Sequence, residues 1–342
     1  MNDRIRLKFN RQISGHTLEI AKLYTAIGNL CFTETLASEY EYDISTKKLV
    51  DVLECGANKH FQWNFTELEK GHINIDYNKN NVVVCFSGGK DSLATALKMK
   101  KSGKNVFLYH IKGINKSYPD EFMHVIDLAK KIDMPLFIDE IKQSGVSSFK
   151  ENPIKNQLIA SMALDYAILN HIGTTIAFGD FTTDNIYNSQ FYESWSDTQE
   201  MWDAWTYCVR KYIPTAELII PFATYNDTLD EVSNNIEILK MVCGCILPYR
   251  FRQTTRNRNE MKYEIDLLPN RCGSCWKCCT EYIFLADKNV VPLNKAFYKH
   301  CINFLITKLS SVHPQIEIKN AKNAYEAFLH RSLSNSIIAK EL

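Results

Sequence analysis

No run of about 18 uncharged apolar residues, the length a membrane-spanning helix needs, occurs in the chain. The opening residues Met1-Asn2-Asp3-Arg4-Ile5-Arg6-Leu7-Lys8 have no apolar core of the kind a secretory signal carries. A soluble cytoplasmic protein without a membrane partner is therefore expected. Net charge is nearly absent, since 40 Lys and Arg against 39 Asp and Glu leave +1. So balanced a chain has no global field for coating nucleic acid, and only a local basic stripe stays open. Cysteine is sparse: 11 in 342 residues is well below the density of a disulfide scaffold. Four of them, Cys272, Cys275, Cys278 and Cys279, nevertheless fall together, and in a reducing compartment that clustering points to metal before disulfide.

What is present is ordinary globular composition, 45% apolar and 23% charged, which excludes disordered and coiled-coil readings. At about 150 residues per domain the length allows two domains, or one large α/β domain with an appendage. The pattern changes near residue 80. Before it, Ile5, Leu7, Phe9 and again Ile73, Ile75, Tyr77 alternate as in half-buried strands, with a helix over Leu18 to Leu36 between them. Residues 1–79 are read as a small accessory α+β unit, and its 11 acidic against 10 basic residues indicate no ligand.

Beyond residue 80, short apolar runs alternate with helix-length segments. Strands are expected at 82–86, 106–109, 135–138, 174–178 and 218–220, and helices at 92–101, 119–131, 156–171, 198–212 and 227–242. This alternation predicts a doubly wound parallel sheet, with ligands beyond the carboxyl ends of the strands. Residues 80–250 are assigned to that domain and 251–342 to a cysteine-rich element with a helical tail.

The first of these strands runs into Ser87-Gly88-Gly89-Lys90-Asp91-Ser92. Two glycines let the backbone turn tightly and bring bare N–H groups to an anion, and the following helix adds its positive dipole end. The loop is not a Walker A sequence, because Val84 stands where the first glycine belongs and Asp91 follows the lysine. A tight βα turn with Asp91 or Ser92 as an ordinary N-cap is the plainer alternative. A carboxylate beside polyphosphate requires an intervening cation, so Asp91 implies Mg²⁺.

Cys272, Cys275 and Cys278 form a C-x2-C-x2-C array. Two residues between thiolates let both face one ion, and a closed zinc site needs four ligands. Buried thiols without metal and an iron–sulfur cluster are the alternatives.

On Ser87-Gly88-Gly89-Lys90-Asp91-Ser92 the chain resembles the PP-loop ATP pyrophosphatases, with their adenine nucleotide α-hydrolase-like fold. Loop and cysteine array together resemble the 7-cyano-7-deazaguanine synthase family over residues 80 to 285. The resemblance implies that Ser87, Gly88, Gly89, Asp91 and Ser92 bind ATP and that Lys90 pairs with pyrophosphate charge; Lys90, Asp91 and Ser92 are the catalytic candidates. Asn152-Pro153-Ile154-Lys155-Asn156 looks like the element opening a nucleotide-contacting helix, which assigns Asn156 to ATP. Gly179 with Asp184, and Asp197 in Ser196-Asp197-Thr198, look like substrate-binding positions. Pro248 to Thr255 resembles the stretch leading to the family's first zinc cysteine.

Several positions depart from the pattern. Thr255 stands where the family has that cysteine, and no Cys or His lies between 246 and 271. The fourth zinc ligand is then Cys279, awkwardly adjacent to Cys278, or Cys243, Cys245, Cys301 or His300. Asp227 replaces the lysine of a Pro-x5-Lys element begun by Pro221, and residues Asn185 to Trp195 lengthen the substrate loop. Trp195, Trp202, Trp205, Tyr187, Tyr192 and Tyr207 either stack on a deazapurine or belong to the core. The basic run Arg250, Arg252, Arg256, Arg258, Lys262 is either a solvated face or a macromolecular or phosphate contact. His110 and His124 read as structural.

The expected function is an ATP-dependent carbon–nitrogen ligase that adenylylates 7-carboxy-7-deazaguanine and passes it to ammonia, using ATP, Mg²⁺ and Zn²⁺. A single activation that joins the acid to an amine of a protein or other acceptor, as in relatives from bacterial defence clusters, is the runner-up. A PP-loop sulfur transferase or reductase and a non-catalytic ATP-sensing subunit are the readings of other classes. A homodimer is compatible with all of them.

Overall fold

The computed structural model describes residues 6–29, 40–57, 60–68, 78–114, 121–145, 152–179, 198–222, 225–242, 271 and 276–312. Its strands are β1 (Arg6–Phe9), β2 (Glu41–Asp43), β3 (Asn64–Thr66), β4 (Asn81–Cys85), β5 (Asn105–Lys112), β6 (Leu136–Ser144), β7 (Thr175–Ala177) and β8 (Glu217–Ile219). The helices are α1 (Gly15–Asn29), α2 (Lys47–Ala57), α3 (Lys90–Lys101), α4 (Glu121–Lys131), α5 (Lys155–Leu169), α6 (Gln199–Arg210), α7 (Tyr225–Ser233), α8 (Ile236–Met241), α9 (Trp276–Asp287) and α10 (Lys295–Val312). The fold is α/β with a mostly parallel central sheet, as the strand–helix alternation predicts.

Among the described residues that sheet has the order β1-β6-β5-β4-β7-β8. β6, β5, β4, β7 and β8 run parallel. The chain lays β5 and β6 outward on one side of β4 and then returns to lay β7 and β8 on the other. The strand order therefore reverses at β4, and in open α/β sheets ligands bind outside the carboxyl ends of the strands at such a reversal. A run of β-branched residues suits this central position, and Val82, Val83 and Val84 are each at most 1% exposed.

The chain forms two compact units, Met1–Phe86 with Lys98–Lys116 and Met134–Ala223, and Ser87–Leu97 with Ser117–Asp133 and Thr224–Leu342. In the first, α5 packs against β4 and β7 and also against α1. Burial on both sides explains its composition: Leu158, Ala160, Met162, Ala163 and Leu164 are all inaccessible. Each large side chain so buried contributes about 1.5–3 kcal/mol. β1, expected within a separate accessory unit, instead extends the central sheet antiparallel to β6, with Leu7 opposite Gln143 and Phe9 opposite Ile141.

A charged cluster fastens this N-terminal segment. Arg11 Nε donates to Asp139 Oδ2 at 2.7 Å and its Nη2 to the Met162 carbonyl at 2.8 Å, while Nη1 lies 3.6 Å from Asp165. Tyr109 donates its hydroxyl to the same Asp139 oxygen at 2.5 Å, and the Ser14 amide donates to Asp165 at 2.8 Å. Burial pushes the Tyr109 hydroxyl well above its ordinary value, reinforced by Asp139. His16, fully buried, lies 3.7 Å from Asp165, and burial holds its pKa below the ordinary value against that carboxylate's pull. Nearby, β2 and β3 form a short parallel pair with Tyr42 opposite Phe65, and Tyr42 meets Trp63 edge-on at 5.3 Å.

In the second unit α9 and α10 pack on each other through Tyr282 and Phe297, 4.6 Å apart. Arg271 is 3% exposed and donates to both Glu281 oxygens, at 2.8 and 2.6 Å, and to the Leu239 and Val242 carbonyls. It thereby closes the carboxyl end of α8, where the Leu239 carbonyl also accepts from the Val242 amide at 3.2 Å.

Some expectations required correction. The helix expected over 227–242 is two, because Asn235 Oδ1 accepts from the Ile238 amide at 3.2 Å and starts α8. Asn234 donates to the Asp230 carbonyl at 3.0 Å, so consecutive asparagines satisfy the backbone locally and interrupt the ladder. Of the helix expected over Leu18 to Leu36, the part to Asn29 is observed, within α1; residues 30–39, like the strand expected at 73–77, lie outside the described residues.

Candidate functional site

The chain leaves β4 through Phe86 and turns at Ser87-Gly88-Gly89 before α3 begins at Lys90. Phe86 is held first: its amide donates to the Tyr109 carbonyl at 2.7 Å, and its carbonyl accepts from His110 Nδ1 at 2.9 Å. A carbonyl only accepts, so the His110 proton sits on Nδ1. Burial lowers the His110 pKa from the ordinary value, which favours the neutral ring.

Within the loop the hydroxyls form a closed set. Ser92 Oγ donates to the Gly89 carbonyl at 3.0 Å and accepts from the Ser87 amide at 3.2 Å. With its proton so used, Ser92 Oγ accepts from Ser87 Oγ, 3.3 Å away, and Ser87 Oγ accepts from the Gly89 amide at 3.3 Å. Gly88 has φ +73°, and a Cβ there would lie 3.1 Å from Val125 Cγ2. The left-handed backbone and the tight approach to α4 both require glycine.

The charges of the loop are paired. Lys90, 3% exposed, donates through Nζ to Asp91 Oδ1 and lies 3.5 Å from Thr228 Oγ1. Thr228, fully buried on α7, donates to the same Asp91 oxygen at 3.1 Å. The Asp91 side chain remains 27% exposed. Both contacts fall on Oδ1, so a cation on Oδ2 need not break them. Backbone N–H groups in the first turn of α3 have no carbonyl one turn back, and with the dipole end they favour an anion. Polyphosphate with a divalent cation is the ligand chemistry this donor set fits.

Ser87, Gly88, Gly89, Lys90, Asp91 and Ser92, all expected at the site, lie together in one turn of the second unit. Asn156 is in the first turn of α5 and Gly179 follows β7, both in the first unit. Asp184, Asp197, Cys272 and Cys275, and the basic run from Arg250 to Lys262, lie outside the described residues. Thr198 is an N-cap, its hydroxyl accepting from the Met201 amide at 3.2 Å. Asn152, beside the expected nucleotide element, is 5% exposed and donates to the Tyr24 carbonyl at 2.7 Å. Trp202 and Trp205, each 1% exposed, are core, and Trp205 Nε1 donates to Ser161 Oγ at 2.9 Å. Missed from sequence was Thr228, for which one hydroxyl in a helical segment gives no signal.

Cys278 and Cys279 are buried near the start of α9. Consecutive helical side chains diverge by about 100°, so one tetrahedral ion takes one of them more readily than both. Among the described residues no three His, Cys, Asp or Glu side chains converge as a metal site, and no described helix is long and apolar enough to cross a membrane. No protein-family model matches this chain, and no curated protein matches it.

Proposed function

We propose that this chain is an ATP-dependent carbon–nitrogen ligase of the PP-loop type, acting in the cytoplasm on 7-carboxy-7-deazaguanine. The observation that carries the reading is the Ser87-Gly88-Gly89 turn at the strand-order reversal, with Gly88 left-handed and the first turn of α3 directly after it. The substrate itself rests on the resemblance of the loop and cysteine array to the deazaguanine synthases.

A carboxylate is a poor electrophile, and adenylylation supplies AMP as a leaving group. The carboxylate oxygen attacks the α-phosphorus and pyrophosphate leaves. Ammonia then attacks the acyl carbon, AMP departs and the amide forms. Adenylylation of the amide oxygen by a second ATP, followed by loss of AMP and protons, leaves the nitrile. The Ser87-Gly88-Gly89 turn would cradle the phosphates through its Gly88 backbone and the first turn of α3, since the Ser87 and Gly89 amides already donate to the Ser92 and Ser87 hydroxyls, and Asp91 would hold Mg²⁺, which supplies charge neutralisation at the phosphates. Lys90 would counter pyrophosphate charge. Cys272, Cys275 and Cys278 would hold a structural zinc with one further ligand.

Incubation with ATP, Mg²⁺, 7-carboxy-7-deazaguanine and ammonium, followed by mass spectrometry, tests this. Two AMP per product and the mass of the nitrile are expected. Asp227, one residue before Thr228 in the first turn of α7, brings a carboxylate where the synthases have lysine and favours the second reading, a single activation with transfer to a larger amine. One AMP per product and a deazaguanine amide on a larger amine identify that outcome; no AMP or pyrophosphate from any deazaguanine acid refutes both.

A further inference from the structure

Most buried polar clusters in the described residues close on themselves. Arg11 with Asp139 and Asp165, and Arg271 with Glu281, tie segments of the chain together and present no group to a ligand. The Lys90–Asp91–Thr228 triangle differs, because two of its members are buried and the third is open. The Lys90 and Asp91 side chains are 4% and 27% exposed and Thr228 is fully buried.

A threonine hydroxyl has one proton to donate and two lone pairs to accept with. Here the proton goes to Asp91 Oδ1 at 3.1 Å and a lone pair faces Lys90 Nζ at 3.5 Å. Oδ1 therefore receives two donors, one of them an ammonium, and the rotation of the Asp91 carboxylate is fixed from the inner side. The oxygen left for a ligand is Oδ2. Lys90 cannot set this orientation by itself, since its flexible four-carbon stem permits many headgroup positions.

We infer that Thr228 is a positioning residue for the proposed nucleotide site: it aims Asp91 so that one carboxylate oxygen meets the metal of the metal–nucleotide complex, and it keeps Lys90 on the opposite oxygen. This deepens the PP-loop reading and rests on it. Thr228 touches no substrate, so its removal should weaken metal-dependent nucleotide binding and spare binding that depends on the loop backbone.

The test compares the full-length wild type with Thr228→Val, of the same shape without the hydroxyl, and Thr228→Ser, which restores the hydroxyl. ATP affinity is measured by calorimetry with Mg²⁺ and with EDTA, and Lys90 reactivity by acylation with acetic anhydride and peptide mass spectrometry. Thr228→Val should lose about tenfold in Mg·ATP affinity, the loss expected for one hydrogen bond to a charged group, with metal-free ATP affinity unchanged. Lys90 acylation should rise severalfold, and Thr228→Ser should restore both. Equal losses with and without metal, no rescue by serine, or unchanged Lys90 acylation would each overturn the assignment. If the wild type binds no ATP at all, the nucleotide reading fails and the metal-aiming role with it, whereas altered binding confined to Thr228→Val leaves that reading standing.

Discussion

Alanine at Gly88 should damage the loop more than alanine at a glycine of similar backbone conformation elsewhere, and the difference can be worked out from the surroundings. Gly88 has φ +73° and Gly103 has φ +81°. For an L-residue the left-handed region costs about 1–2 kcal/mol, of which about 0.4–1 kcal/mol is returned because alanine has less freedom in the unfolded chain. A Cβ at Gly103 would meet nothing within 4 Å, so Gly103→Ala should cost about 1 kcal/mol, the conformational term alone. At Gly88 the Cβ would lie 3.1 Å from Val125 Cγ2 and 3.5 Å from the Val125 Cα and amide nitrogen. Only the Cγ2 contact is inside the ~3.5–4.0 Å optimum for carbon contacts. A helical valine is held to one χ1 rotamer and does not swing that methyl aside freely, so overpacking adds about 1 kcal/mol or more. Hydrogen exchange across 87–97 in increasing urea isolates the local term, and calorimetry with Mg·ATP reads the ligand site. Gly88→Ala should lose about 2 kcal/mol of local stability and at least tenfold in ATP affinity, whereas Gly103→Ala keeps wild-type affinity. Equal costs at the two sites, or wild-type ATP binding by Gly88→Ala, would refute both the packing argument and the loop's role.

Arg11→Met should lower stability by about 3 kcal/mol, since it strands two buried carboxylates, and adding Asp139→Asn should recover part of that; a melting point unmoved by Arg11→Met would show the cluster to be incidental. His16 and His110 are both held below the ordinary histidine value of 6.5 by burial. The unfolded chain binds protons below that pH and the folded chain resists them, so stability is fully present above pH 6.5 and falls as pH drops towards the lowered folded values. Each group contributes up to about 1.4 kcal/mol per pH unit, and His110→Gln should flatten an acid unfolding series. Zinc analysis of Cys278→Ser and Cys279→Ser should show loss of about one equivalent in the first and retention in the second, together with lower solubility in the first; equal zinc in wild type and Cys278→Ser would remove the site.

Much of the central architecture was legible in the chain because its causes are local. Val82 to Phe86 is apolar without interruption, two glycines and a lysine follow, and the helical period begins at once. Those features place a buried strand, a turn and a helix without reference to any distant residue, and the candidate phosphate loop lies wholly inside them. The aromatic segment around Trp202 and Trp205 was legible only as an alternative, since helical spacing is the same whether the ring meets a ligand or the core. Burial at 1% decides it.

What tertiary structure alone decided are the contacts that join distant parts of the chain. The alternation of Leu7 and Phe9 specifies a strand but not its neighbour, and only the folded sheet sets β1 against β6. Arg11 meets Asp139 across 128 positions, Ser14 meets Asp165 across 151, and Thr228 meets Asp91 across 137. A single arginine, aspartate or threonine carries no periodic signature. Its partner is fixed when packing of the large apolar faces brings two backbones to one place, and the polar groups trapped there must then satisfy each other. The residues that form the loop therefore follow from the chain itself, while the residue that orients its carboxylate follows from where α7 comes to rest.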